Sequence, residues 1–522
     1  MGLKNEEYYV DKHDKEEIKF GLEKIYKLLE VLGNPQDYLK VIHVAGTNGK
    51  GSVSSYLSYI MAYQGMKVGK LSSPVVFSKM EFAQIYELNS KNRLKDNDKL
   101  EDDYLKDCCS VQEQFKKDYI DKEQIEMDES VLITDAQEVI FNIMVEQYKN
   151  YIDEIQPSGY EIQVAFSLKY FLENQCDIII VEVGMGGSGD ATNVFKHTLC
   201  DVITSISLDH VGIIGDTIED IACCKCGIIS HGGHVVTTSS NDSIMDIIKE
   251  KCLEKNAQLY VANMEQVTQV QLNLDDNKFM YGDSCNGTVN ESNELINDKL
   301  MLHKSEKIEL PYDNNSNYSI SMNGKHQIEN AIIAIEVIHA LNKQGYKITE
   351  ASLKKGLFGA RQKGRFDVIK HKLEDSKIVI LADGAHNEAG ARCLVQGMED
   401  YFDCKNSRII YVMSVFKDKD YKEIINQFLT NADEIWAFST ENPRSLDCDV
   451  LCETIAKQGL DNDKSNKNID FNKKQCTIRK MRSINNVIDE VSNLDRDTII
   501  VFAGSLSFMK DIYGGLKWIK RR

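Results

Sequence analysis

Residues 41–57, VIHVAGTNGKGSVSSYL, run from an apolar strand into a turn built on Gly46, Gly49, Lys50, Gly51 and Ser52, and then into a helix. Such a turn is suited to phosphate. Glycines let the backbone amides curl around an anion, Lys50 adds a point charge, Ser52 offers a hydroxyl to a magnesium ion, and the helix points its positive end inward. The spacing is not that of the general GxxxxGK[ST] loop, which asks for glycine at Val44 and for Ser or Thr where Gly51 stands. A Gly-rich strand-to-helix turn with no ligand is the alternative reading.

The elements that must position such a turn are legible on both sides of it. Residues 15–33 place Ile18, Leu22, Ile25, Leu28, Leu29 and Leu32 at helical spacing and stop at Gly33, with Pro35 beyond. The runs CDIIIVEVGMGG at 176–187 and CDVITSISLDH at 200–210 are apolar and end in polar residues, as buried parallel strands with ligand groups at their carboxyl ends do. Their alternation with helices argues for an α/β fold with a doubly wound sheet. After about residue 360 the pattern restarts at 376–387, 407–415, 433–440 and 497–505, which predicts a second, smaller α/β unit. Residues 89–130, rich in Lys, Asp and Glu, and 264–320, rich in Asn, Asp and Ser, are expected to be solvated surface insertions.

Composition narrows the partners. The 522 residues are enough for two or three domains, and 42% hydrophobic content supplies their cores. A net charge of −19 argues against a nucleic-acid backbone as partner. The N-terminal stretch has no apolar signal core, Glu6 interrupts a myristoylation pattern, and no run of roughly 18 apolar residues appears, so no membrane attachment and a cytoplasmic location are expected. Fourteen cysteines in such a chain read as reduced thiols. The Cys223, Cys224 and Cys226 group lacks a second cysteine pair at zinc-finger spacing.

The stretch FGLEKIYKLLEVLGNPQDYLKVIHVAGTNGKGS resembles the opening of folylpolyglutamate synthases and dihydrofolate synthases, members of the Mur ligase superfamily. Further blocks match in order: SSP at 72–74, VEVGMGGSGDATNV at 181–194, SISLDHVGIIGDTIEDIA at 205–222, GKHQIENA at 324–331, GRFDVI at 364–369 and DGAHN at 383–387. The resemblance implies an N-terminal P-loop-containing ATPase domain over 1–361 and a C-terminal Rossmann-like domain over 362–522. The early phosphate turn leaves no room for the UDP-binding domain of peptidoglycan-building relatives. The implied reaction activates a folate carboxylate with ATP as an acyl phosphate and joins it to L-glutamate, in a monomer. Positioning and charge neutralisation dominate such phosphoryl transfer.

By the same resemblance, Asn48, Gly49, Lys50 and Gly51 hold the ATP phosphates with Ser52 beside them. Asn330 and Arg365 also contact ATP. Ser73 and Glu182 serve a first magnesium ion and His210 a second. Lys225 matches a lysine carbamylated by CO2, which would supply anionic oxygens to metal and leave the neighbouring cysteines as packing residues. Asp383 and His386 complete the cleft from the second domain, Asp383 also on the ATP side. The chain departs from the family pattern at Val75, at Arg361–Gln362–Lys363 and at Glu388, around the acid-binding side and the hinge. A superfamily ligase acting on a different acid, or a non-catalytic nucleotide-binding protein, are the alternatives.

Overall fold

The computed structural model describes residues 21–89, 130–238, 241–282, 316–370, 378–465, 476–492, 494 and 497–519. Strands β1 (Val41–Ala45), β2 (Val68–Leu71), β3 (Ala83–Leu88), β4 (Val131–Asp135), β5 (Ile178–Glu182), β6 (Cys200–Ile203), β7 (His234–Thr238) and β8 (Gln258–Ala262) form one sheet in the order β4-β3-β2-β5-β1-β6-β7-β8. β1 is central and pairs in parallel with β5 and β6, Val44 lying beside Glu182 and His43 beside Asp201. All five residues of β1 and of β5 are buried, which is why both read as continuous apolar runs. One face packs under the helix Lys50–Tyr63 through Ile42, Val44, Ile178 and Ile180; the other buries Val41, Ile179 and Val181 against the helices 138–155 and 159–173.

A second sheet is built from β12 (Asp367–Lys370), β13 (Ile378–Ala382), β14 (Arg408–Met413), β15 (Glu434–Ala437), β16 (Thr477–Lys480) and β17 (Thr498–Ala503), in the order β12-β13-β17-β14-β15-β16. Only β12 runs antiparallel to its neighbour. In both sheets the parallel strands direct their carboxyl ends, and the turns that follow them, toward candidate site residues.

The pattern at 264–320 is more structured than composition suggests. β9 (Val267–Gln271), β10 (Asn277–Tyr281) and β11 (Ser316–Ile320) form a three-stranded antiparallel sheet, with Phe279, Tyr281, Tyr318 and Ile320 buried in the core above the helix Lys325–Lys343. The apolar residues alternate over only five positions per strand, too short a signal to stand out from a polar background. Residues 283–315 lie outside the described part. The 89–130 stretch leaves and returns at the end of the β3–β4 pair, where the Asn89 N–H donates to the Ser130 carbonyl at 2.9 Å; 90–129 lie outside the described residues. The first described helix is Glu23–Val31, so Ile18 also falls outside.

Candidate functional site

The turn after β1 is held open by glycine. Gly49 has φ +90° and a Cβ there would stand 2.4 Å from Asn330 Oδ1; one at Gly46 would stand 1.7 Å from Thr204 Oγ1. Side chain and backbone therefore cannot both fit, and the phosphate turn needs glycine at both positions. Thr47 ties the turn to the strand-end segment after β6: its N–H donates to Ser205 O at 2.7 Å, its hydroxyl donates to Ser207 O at 3.0 Å, and the Ser207 N–H donates to Thr47 Oγ1. The helix Lys50–Tyr63 begins at Gly49 with no side-chain cap, which leaves its N-terminal amides for an anion.

Lys50 is half-buried, and its ammonium donates to Gly46 O at 3.0 Å and Thr47 O at 3.2 Å. Burial lowers its pKa, and Glu182 and Asp209 partly restore it. Lys225, at the end of the helix Ile218–Lys225, donates to the same Gly46 carbonyl at 2.8 Å. Burial, and then repulsion from Lys50, bring its pKa down to about 7. Two ammonium groups, Lys50 half-buried and Lys225 buried, thus converge on one carbonyl. Glu182 closes β5 at 5% exposure; burial raises its pKa against the pull of Lys50, Lys70, Arg365 and the backbone N–H of Ser73. His210 sits in the left-handed region at φ +52°, its ring 3.7 Å from the Asp209 carboxylate. Burial lowers the His210 pKa, with Lys225 and Lys50 among the cations acting in the same direction. Lys50, Glu182, His210 and Lys225, far apart in sequence, are therefore one electrostatic cluster around the turn.

Ser52 faces inward rather than toward an open phosphate site: its hydroxyl accepts from Gln327 Nε2 at 3.1 Å, and Gln327 Oε1 accepts from Asn330 Nδ2 at 3.2 Å. This chain holds Asn330 against Gly49. Gln362 fills the space over Gly51, with its amide nitrogen 3.0 Å from where a Cβ would be. Asn48 Oδ1 accepts from Asn387 Nδ2 at 3.3 Å, which joins the first turn to the second unit.

From the second unit, Asp383 follows β13 but spends both oxygens on backbone: Oδ2 accepts from Phe366 N–H at 2.7 Å and Oδ1 from Ala385 N–H at 2.8 Å. Burial raises its pKa, opposed by Arg365 and those two amides. Its geometry is that of a group pinning the 364–367 turn, and through it Arg365. His386 Nδ1 donates to Gly384 O at 2.8 Å, leaving Nε2 as the acceptor, and burial followed by the Arg365 charge lowers its pKa to about 4. Arg365 lies within the field of Lys50, Glu182, His326, Asp383 and His386.

Three residues escape sequence reasoning. Asp209 pairs with Lys419 across the two units at 2.7 Å; burial works against its charge, but Lys419 and His210 outweigh it and hold the carboxyl at about 2. Asp190 accepts from Met185 and Thr192 amides and from Thr192 Oγ1, fixing the glycine-rich loop after β5. Lys419 carries no local motif signal beyond a charged residue in a loop, whereas Asp190 and Asp209 sit inside the blocks at 181–194 and 205–222 without a role assigned to them. Of the cysteines, Cys226 is buried as packing, Cys224 half-buried against Gly186, and Cys223 exposed; among the described residues no group of three or more His, Cys, Asp or Glu side chains is placed to hold a metal. No described helix is long and apolar enough to cross a membrane.

Comparison with known proteins places this geometry. The family model for the Mur ligase middle domain matches residues 132–338, and that for the Mur ligase glutamate ligase domain matches 364–506. A dihydrofolate synthase/folylpolyglutamate synthase of Bacillus subtilis is 28% identical over 436 residues, 82% of this chain and 83% of its own. A dihydrofolate synthetase of Saccharomyces cerevisiae is 26% identical over 425 residues, 80% and 81% of the two chains. The crystal structure of Mycobacterium tuberculosis folylpolyglutamate synthase complexed with ADP and AMPPCP superposes with a TM-score of 0.71 at 21% identity, covering 99% of this chain and 97% of that one.

Proposed function

This chain belongs to the folylpolyglutamate synthase/dihydrofolate synthase family of Mur ligases, and from that premise we propose that it is an ATP-dependent ligase joining L-glutamate to a folate carboxylate. The observation that carries the reading is the convergence of Lys50, Glu182, His210 and Lys225 on a glycine turn whose helix amides are uncapped, faced by Arg365 and His386 from the second unit. The Lys50 ammonium and the Lys225 amine crowd one carbonyl, and Glu182 and Asp209 only partly offset the Lys50 charge, so an anion meeting them is favoured. A polyphosphate does so, and the buried, unpartnered hydroxyl of Ser207 lies beside the turn as a further donor.

The residues assigned to each role follow from placement. Asn48, Gly49, Lys50 and Gly51 cradle the ATP phosphates, Asn330 lines the same cradle through Gly49, and Arg365 brings its fork from the second unit. Ser52 acts through Gln327 and Asn330 as a positioning group. Glu182, which accepts from the Ser73 backbone N–H, would hold a first magnesium ion with Ser73 beside it, and His210 with a carbamylated Lys225 would hold a second. Bound there, magnesium supplies neutralisation of the phosphate oxygens. Burial and repulsion from Lys50 bring the Lys225 pKa down to about 7, which favours the unprotonated amine that carbamylation requires. Lys50 stabilises charge on the transferred phosphoryl group as the substrate carboxylate oxygen attacks phosphorus and ADP leaves. The amine of glutamate then attacks the acyl carbon, the C–N bond forms and inorganic phosphate departs with the oxygen. His386, neutral and with Nε2 free to accept, lies on the side of the second unit from which that amine approaches. With the phosphate groups drawn from residues before about 361 and Arg365 and His386 from after it, closure of the two units would bring phosphate and amine together.

Incubation with ATP, magnesium, glutamate and either dihydropteroate or tetrahydrofolate tests the reading. A product heavier by one glutamyl residue, with equimolar phosphate release, is expected. No glutamate-dependent phosphate release with any folate overturns it.

A further inference from the structure

One buried charge near the site acts on Glu182 only through its field and touches no acceptor among the described residues. Lys70, in β2, is 4% exposed, and among the described residues its ammonium has no hydrogen-bond or ion-pair partner; it lies 5.7 Å over the Tyr86 ring. Lys70 pairs in register with Ile180, which puts it on the same sheet face as Glu182, two positions earlier along β5. It lines a cavity of about 290 Å³ between the helix Lys50–Tyr63, the β2–β3–β4 edge, the loop 74–77 and the linker 361–363. Gln362, which covers Gly51 of the phosphate turn, is part of the same wall, so the cavity adjoins the phosphoryl-transfer site.

The other charges in this cavity are already engaged. Glu81 accepts from the Val76 and Phe77 amides at 3.1 and 3.0 Å, and Asp135 accepts from Gln84 Nε2 at 2.7 Å. Arg361 donates to the Phe358 and Ala360 carbonyls, and Lys363 lies 4.7 Å over the Phe77 ring. The remaining wall is aromatic and apolar: Tyr59, Tyr86, Phe77, Val75 and Ile133. A site of this kind fits an aryl group ending in a carboxylate.

We propose that Lys70 is a specificity-determining residue that binds the non-reacting carboxylate of an acid substrate already ending in glutamate, leaving the other carboxylate to reach the phosphates at Lys50. The inference rests on the ligase reading and deepens it: an acid with one carboxylate, such as dihydropteroate, has nothing to offer Lys70 once its carboxylate is activated. A ligand carboxylate would give Lys70 the charge-assisted hydrogen bonds it lacks.

The test uses the full chain and its Lys70→Met variant, with p-aminobenzoyl-L-glutamate and p-aminobenzoate as calorimetric probes and tetrahydrofolate and dihydropteroate as substrates. The expected result is binding of the glutamyl probe that weakens at least about tenfold in the variant, a matching rise in KM for tetrahydrofolate, and values for dihydropteroate and ATP within about twofold of wild type. Thermal stability should be unchanged or higher, because methionine fills the volume without burying an unpaired charge; a lysine with only a structural task would lose stability instead. Equal losses with both acids, equal probe binding in both proteins, or a lowered Tm would overturn the proposal. If the wild type makes no glutamylated product yet binds the glutamyl probe through Lys70, the ligase reading fails and the site stands.

Discussion

Each sheet sends a buried strand into a turn and a helix, and the two turns are built on opposite plans. After β1, glycines hold the backbone open, the helix starts without a side-chain cap, and the cations Lys50 and Lys225 lean on one carbonyl. After β13, the acid Asp383 binds two amides at once, and Asn387 caps the helix Glu388–Tyr401 through Gly390 N–H at 2.8 Å. The first turn leaves its donors for a ligand, while the second satisfies its own. The same strand–turn–helix topology therefore yields a reactive site in one unit and a rigid presenter of Arg365 and His386 in the other, and the choice is made by whether glycine or a capping side chain occupies the turn.

Substitutions can break this contrast. Lys50→Ala is expected to lower kcat by about 10²- to 10³-fold with little change in Tm; a protein that keeps its turnover would show that the first turn is only structural. Asp383→Ala should act the other way, lowering unfolding free energy by about 2 kcal/mol or more because two buried amides lose their acceptor. Denaturant melts read this directly, and a large kcat loss at unchanged stability would instead return Asp383 to the chemistry. Asn387→Ala removes a helix cap, expected to cost about 1 kcal/mol, together with the bond to Asn48 that links the turns. KM for ATP should rise modestly, and a variant unchanged in both respects would sever the proposed connection.

The smallest effect is a pH slope on the strand behind the first turn. His43, in β1, is buried with Nε2 2.9 Å from Thr192 Oγ1, and burial lowers its pKa to about 3. A depressed histidine pKa contributes stability that is present above the unfolded value near 6.5 and is lost as pH falls toward 3, because only the unfolded chain takes up the proton. Melts across that window should fall more steeply for wild type than for His43→Gln; identical slopes would show that His43 titrates normally.

Much of the molecule was legible before any fold was known. The GTNGKGS turn announced a phosphate site because glycine positions and a following helix are local properties, and the apolar runs 178–182, 408–413 and 498–503 became buried strands because a strand covered on both faces has to be apolar throughout. The β9–β11 sheet was not legible, since its strands gain meaning only by pairing across a gap of more than thirty residues, Tyr281 beside Ser316.

The sequence by itself determined the chemistry on offer: a phosphate-binding turn, strand-end Glu182 and His210, a lysine among cysteines, and a second α/β unit carrying Asp383 and His386. Tertiary structure decided how each group is spent. It turned Ser52 toward Gln327, assigned both oxygens of Asp383 to amides, paired Asp209 with Lys419 across the units, and left Lys70 alone in a cavity beside the phosphate turn. The reason is physical. Residue type sets what a group can donate or accept, but its partners come from strands and loops tens to hundreds of residues away, and only the packed chain fixes which of them it meets.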